Sequence, residues 1–281
     1  LANVPLFVHR IYNLPAWANA STLVIATSHS GETEETLSAY HCAVQRGCCT
    51  LALSTGGALM HAARQNGTPN WRFEHHGQPR SAVGFGFGLA AAALTRLRIL
   101  PELSGEIADA ASLMRSLQES FQPGVPVAKN RAKRDAGQLM GRWVAVFGAD
   151  HLAPVARRWK GQINEMAKAW AQAEILPEAD HNTLAGLVNP EEALMHTLAL
   201  FLVAEDVHPR NQMRVDLTRQ AFMEQGIGTD LYRARGETRM AQMWSALHYG
   251  DYLAYYLALA YGVDPTPVDL LEEFKLALRG E

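Results

Sequence analysis

Short runs of β-branched and apolar residues alternate along the chain with stretches in which apolar residues recur every three or four positions. This alternation predicts parallel α/β architecture. Residues 22–27 (Thr-Leu-Val-Ile-Ala-Thr) read as a buried strand, and residues 5–9 as a shorter one before it. A helix is predicted from about Glu32, with Leu37, Tyr40 and Val44 on one stripe. Residues 49–53 read as the next strand, and Ser54-Thr55-Gly56-Gly57 opens a short helix. After a loop over 74–80, residues 81 to about 99 read as a long apolar helix. Farther on, 128–140 predicts a helix and 143–147 a buried strand. Leu152, Val155, Trp159, Ile163, Met166 and Trp170 mark an amphipathic helix. Strands are expected at 197–204 and 229–232, helices at 211–224 and up to about 260, and a last helix around Thr266-Pro267.

The chain has 281 residues, long enough for about two domains. The uncharged, turn-forming Gln122-Pro123-Gly124-Val125-Pro126 is the expected boundary, giving domains 1–122 and 123–281. A net charge of −3 offers no basic excess for a phosphate backbone, so nucleic-acid binding is not expected. The longest apolar run, 82–94, is shorter than the ~20 residues a membrane span needs. No charged segment followed by an apolar one opens the chain, so no signal peptide is visible. Cys42, Cys48 and Cys49 are odd in number and lack ligand-like spacing. They fit a reducing cytoplasm better than a disulfide framework or a zinc site.

Five segments carry candidate chemistry. Thr27-Ser28-His29-Ser30-Gly31-Glu32-Thr33-Glu34-Glu35-Thr36 joins a strand to a helix. Free N–H groups at such a helix start, with the hydroxyls of Ser28, Ser30 and Thr33, suit a phosphate. No P-loop lysine is present, which favours a small phosphoester over a nucleotide. Ordinary helix capping accounts for the same residues. Arg80, in Gln78-Pro79-Arg80-Ser81, is a fixed cation that could meet an oxyanion or simply lie on the surface. Glu165 lies off the apolar stripe of its helix, with Gly161 and Ala169 leaving space over that face. Its plain alternative is a surface pair with Lys168, worth ~0.3 kcal/mol. His181, in Asp180-His181-Asn182-Thr183, is one of 11 histidines and by itself weak evidence. Thr266 is expected to cap a helix beginning at Pro267, and Lys275 to lie at the margin of that helix's apolar face.

Taken together, these segments resemble the bifunctional phosphoglucose/phosphomannose isomerase family of sugar isomerase (SIS) domain proteins. Residues 28–37 are similar to the family's Ser-Tyr-Ser-Gly-Asn-Thr-Glu-Glu-Thr-Leu loop. Residues 158–168 are similar to its Arg-Trp-Lys-x-Gln-x-Asn-Glu-Asn-x-Lys helix, and 262–268 with Phe274-Lys275 to its C-terminal signature. The resemblance implies two SIS domains, each a five-stranded parallel sheet flanked by helices. It implies that Ser28, Ser30 and Thr33 hold the sugar phosphate and that Arg80 stabilises an enediolate. Glu165 would be the base, His181 and Lys275 would assist ring opening, and Thr266 would help a mannose epimer fit. It further implies a cytoplasmic homodimer in which the histidine comes from the neighbouring subunit, with no metal or other cofactor.

Three departures stand out. The family's upstream strand and Gly-Gly-Ser loop are missing, so the first domain is expected to lack its opening strand and Leu1 not to be a natural start. Glu32 replaces an asparagine beside the phosphate loop, where a carboxylate would repel a dianion unless it points away. Met166 replaces an asparagine next to the base. A non-catalytic module that binds a sugar phosphate or dimerises is the rival reading. The isomerase half of glucosamine-6-phosphate synthase is disfavoured by Asp264-Pro265-Thr266-Pro267.

Overall fold

The structure, a computed structural model, describes residues 2–280 apart from the Arg279 side chain, so Leu1 and Glu281 lie outside the described residues. The chain forms two compact units, Leu1–Leu103 and Ser104–Glu281. Helix Ser104–Phe121, which a boundary at Gln122 assigns to the first domain, packs in the second unit.

In the first unit, β1 (Leu23–Thr27), α1 (Glu34–Gln45), β2 (Cys49–Ser54), α2 (Gly57–Gln65), β3 (Asn70–Arg72) and α3 (Val83–Arg96) follow in order. A 3-10 turn, Pro79–Ala82, leads into α3. The strands form a parallel sheet in the order β1-β2-β3. Alternation along β2 explains its two faces. Ala52 packs with Tyr40, Leu59 and Met60 on one side, and Leu51 and Leu53 pack with Ala93 on the other. The buried Tyr40 hydroxyl is satisfied by Thr68 Oγ1 at 2.9 Å. The strand expected at 5–9 is not formed. Alternating apolar residues make a strand only with a hydrogen-bonding neighbour, and Leu6, Phe7 and Val8 are exposed in irregular backbone.

The second unit contains α4 (Ser104–Phe121), α5 (Arg131–Leu139), β4 (Trp143–Ala149), α6 (Ala153–Ala167), β5 (Ala171–Leu176), α7 (Glu191–Met195), β6 (Thr197–Val203), α8 (Pro209–Glu224), β7 (Gly228–Arg233), α9 (Arg239–Tyr261) and α10 (Asp269–Arg279). Its sheet is parallel, in the order β5-β4-β6-β7. The described residues thus form sheets of three and four strands where the resemblance implies five each. β5 is hidden in the sequence because the apolar stripe runs on to Trp170. The helix in fact stops at Lys168, which takes the left-handed conformation (φ 52°). The Lys168 ammonium donates to the Glu165 carbonyl at 2.8 Å, capping the helix end. α10 likewise begins later than expected. The Thr266 N–H is held by Asp264 Oδ1 at 2.8 Å, so Thr266 sits in a turn and Val268 precedes the first helical residue.

The core of this unit forms around α9, which is buried by α4, α5 and α6. Trp159 of α6 is 1% exposed and donates from Nε1 to the Ala246 carbonyl at 2.8 Å. Its indole lies on Gly250, where a Cβ would meet the ring at 2.3–2.5 Å. Beside it, Asp251 accepts hydrogen bonds from Arg158 at 3.1, 3.2 and 3.3 Å and one from Gln162 at 2.8 Å. These contacts fix α6 and α9 side by side, both running from the carboxyl to the amino edge of the sheet. Gly250→Ala is therefore expected to destabilise the second unit by about 1–3 kcal/mol through overpacking, read as a lower urea midpoint.

Burial also holds histidines neutral. His151 and His248 both titrate below the usual imidazole range because desolvation disfavours their charged forms. A histidine whose folded pKa lies below its unfolded value binds protons more tightly when unfolded. Stability is then full above pH ~6.5 and declines as pH falls from there through the folded pKa. Urea midpoints should drop between pH ~7.5 and ~5.5, and His248→Gln should flatten that drop.

Candidate functional site

The first set of candidate residues lies on one edge of the first unit, at the carboxyl ends of its strands. β1 delivers Ser28–Thr33, β2 delivers Ser54-Thr55-Gly56, and the segment after β3 carries Arg80. The two loops touch through their glycines. Gly31 has φ +76°, and a Cβ there would meet the Gly56 carbonyl oxygen at 2.0 Å. Ser28 is buried, and its Oγ accepts from the Gly31 N–H at 3.0 Å and pairs with Thr33 Oγ1 at 2.8 Å. Ser28 therefore shapes the loop from inside, while Ser30 and Thr33 are exposed at its mouth. Ser30 does not cap α1; its Oγ accepts from the Glu32 N–H at 3.1 Å. The first N–H groups of α1, from Glu34 onward, have no helical carbonyl to meet and face the loop end of the helix. A cavity of about 720 Å³ along the open side of β1 reaches Thr33 and Thr36.

Glu32 points away from this loop. Its Oε1 accepts from the Ala58 N–H at 2.8 Å, at the start of α2. The carboxylate thus meets the positive end of a second helix, which diverts the repulsion expected against a dianion.

The second set lies on the amino edge of the second unit. α6 and α9 both end there, so the last turn carrying Glu165 and the loop carrying Thr266 share that edge. Glu165 is half-buried. The Thr266 hydroxyl and N–H, and more weakly the Lys168 cation, act together on Asp264 and hold its carboxyl below the usual range. Thr266 is therefore oriented by Asp264.

His181 lies on the opposite edge. It ends a 3-10 turn, Glu178–His181, just past the carboxyl end of β5, and is exposed. Glu165 lies before the amino end of the same strand. Six residues at ~3.3 Å each put roughly 20 Å of strand between the two ends. The loop of His181 is firmly anchored. Asp180 accepts from Arg214 at 2.7 Å and from Thr218 at 2.7 Å, and Thr183 donates to Glu174 at 3.0 Å. Lys275 is exposed on α10, whose Leu270, Leu271, Phe274 and Leu278 are exposed as well.

Two features escape sequence reasoning. One is the Asp180–Arg214–Thr218 anchor, in which Asp180 meets partners 34 and 38 residues away. The other is a contact between His29 and His75, whose Nε2 and Nδ1 lie 2.9 Å apart across 46 residues. No spacing rule links such positions. Among the described residues, no three His, Cys, Asp or Glu side chains come together as a metal site would require. Among the same residues, no helix is long and apolar enough to cross a membrane.

Residues 128–278 match the family model described as the bacterial phospho-glucose isomerase C-terminal SIS domain. Over 97% of its length the chain is 36% identical to the bifunctional phosphoglucose/phosphomannose isomerase of Caldicellulosiruptor bescii, covering 80% of that protein. The Aquifex aeolicus protein of the same name is 32% identical over 99% of this chain and 82% of its own length. Among solved structures, a glucose-6-phosphate isomerase like protein from Thermus thermophilus superposes with a TM-score of 0.62 at 20% identity, over 94% of this chain and 89% of that one. That likeness supports the fold, and the sequence matches go further: the chain belongs to the bifunctional phosphoglucose/phosphomannose isomerase family.

Proposed function

We propose that the chain interconverts glucose 6-phosphate, and mannose 6-phosphate, with fructose 6-phosphate through a cis-enediolate. The observation that carries this reading is the family membership joined to the placement of Glu165. The motif residue best suited to act as base stands half-buried on the same sheet edge as Thr266.

The roles follow from chemistry. Isomerisation must open the sugar ring and then move a proton between C2 and C1. Glu165 takes the carbon-bound proton and returns it, which a positioned carboxylate can do for both epimers if the open chain rotates about C2–C3. Arg80, always charged, stabilises the oxyanion of the enediolate. Ser30, Thr33 and the α1 N-terminus bind the phosphate, with Ser28 holding their loop in shape. Phosphate binding supplies remote energy that keeps C1 and C2 in register with the base. Lys275 and His181 assist ring opening.

His181 favours a homodimer in this scheme. Some 20 Å of β5 separates it from the Glu165 edge of its own unit, so a histidine acting beside Glu165 would be the one of a second copy. The rival reading, a module that binds sugar phosphate without turning it over, loses one support. Glu32 no longer argues for it, since that carboxylate is engaged by Ala58.

Solvent deuterium separates the two readings. Aldose formed from fructose 6-phosphate should carry label at C2, and its absence during prolonged incubation would favour the binding module. Glu165→Gln is expected to lower turnover at least ~10²-fold while sugar-phosphate binding persists. Near-normal turnover would remove Glu165 as the base. Ser30→Ala and Thr33→Ala should chiefly raise KM, and an unchanged affinity in both would take them out of the phosphate site.

A further inference from the structure

We propose that His29 and His75 form a proton-accepting pair that belongs to the phosphate site of the first unit, charging when a dianion binds. The proposal deepens the functional reading above and rests on its placement of the phosphate at Ser30 and Thr33.

His29 sits inside the phosphate loop, between Ser28 and Ser30, where the family's motif has tyrosine. Its carbonyl is pinned by Thr55, whose N–H and hydroxyl donate at 3.1 and 2.7 Å. The ring therefore leaves a fixed piece of backbone. His75 comes from the segment after β3, and its Nε2 lies 3.1 Å from Ser81 Oγ, at the 3-10 turn that also carries Arg80. Phe73 meets the His29 ring edge-on, Phe85 meets the His75 ring edge-on, and the two phenyl rings stack on each other at 5.1 Å. Gly77 leaves room for this arrangement, since a Cβ there would meet the His75 ring at 3.0 Å.

The hydrogen bonds fix where protons sit. Ser81 has one hydroxyl proton, and its shorter contact, 2.7 Å, is to the Gln78 carbonyl, which can only accept. Ser81 Oγ therefore accepts from His75 Nε2–H. A neutral His75 then presents a bare Nδ1, which accepts from His29 Nε2–H at 2.9 Å. The chain of donors ends with the lone pair on His29 Nδ1. A proton added there keeps every bond in the chain, and the bridging proton can then lie on either ring, so the added charge belongs to the pair. The added proton thus enters the pair through His29 Nδ1, on the loop proposed to bind the anion.

The charged and titratable groups on the surrounding elements are Glu32 on the same loop, Arg72, Glu74, His75 and His76 at and after β3, and Arg80 before α3. Arg72 is turned to the Thr55 carbonyl at 2.9 Å, and Glu32 to α2. Burial, and secondarily the charge of His75, lower the proton affinity of His29. Burial thus favours the uncharged form of His29. A bound dianion adds an opposite charge nearby and draws a proton onto the pair, so binding and protonation reinforce each other.

Inorganic sulfate tests this, because it stays a dianion throughout the range of interest. Calorimetry in buffers of different ionisation enthalpy should show proton uptake on sulfate binding near pH ~7. Affinity should rise up to about tenfold between pH ~8 and ~6, the change that one pKa unit of coupling gives. Histidine ring NMR of the unsubstituted protein should show His29 titrating higher with sulfate than without. His29→Gln and His75→Gln should each remove the pH dependence of sulfate affinity. Sulfate binding that responds to Ser30→Ala and Thr33→Ala but takes up no proton, or takes up the same proton in His29→Gln, would overturn the proposal and leave the phosphate loop standing. Sulfate binding indifferent to Ser30→Ala and Thr33→Ala would overturn both.

Discussion

The contact of the Trp159 indole with the bare backbone of Gly250 governs the second unit. An indole laid flat on a helix requires a residue without a side chain beneath it, and Gly250 provides one. With the ring seated, its N–H finds the Ala246 carbonyl, and Asp251 falls beside Arg158 and Gln162. Two helices so locked cannot slide by a turn without burying a charge or opening a cavity. The register carries forward along both helices. It brings the end of α6, with Glu165 and Lys168, to the loop of Asp264 and Thr266. The edge that carries Glu165 and Thr266 is thus set by a packing contact earlier in the same helices.

Strand polarity supplies the second constraint. In a parallel sheet each helix returns against its strands, so residues at a helix end and residues at the next strand's end occupy opposite edges. Glu165 and His181 are close in the chain and yet are separated by the whole of β5. Asp180 ties the loop after β5 to Arg214 and Thr218 of α8. Arg214 is about one-third exposed and Asp180 one-tenth, which places this pair in the range where a lost partner matters. The exposed His181 therefore leaves a well-held loop at the carboxyl edge of the sheet.

Much of this was legible in the sequence, and the failures have physical causes. β2 and β6 are visible because both faces are buried, and β1 because Leu-Val-Ile is a run of large apolar residues. The short β3, Asn-Trp-Arg, has too few residues to show a period, and β5 hides behind a helical stripe that runs past the true helix end. Thr266-Pro267 misleads about the start of α10 because it is a good capping pair in isolation, and a carboxylate two residues upstream captures the threonine first. Candidate residues carried by contiguous motifs can be named from the sequence. Those made by distant partners, His29 with His75 and Asp180 with Arg214, cannot, since no local rule relates positions that only the fold brings together.

The phosphate loop shows how two changes of charge character can coexist in one motif. It carries a carboxylate at Glu32 and an imidazole at His29. An acid in that loop would ordinarily oppose a dianion, yet the backbone at Gly31 and Gly57, both in the left-handed region, brings Glu32 onto the α2 N-terminus instead. Its charge is then answered by helix N–H groups and contributes to holding the β1 and β2 loops together. The imidazole, in contrast, stays in the loop and turns to His75. The acid has become part of the scaffold. Because the geometry that separates them depends on glycine at both positions, a side chain at either would disturb the cap and the anion loop together.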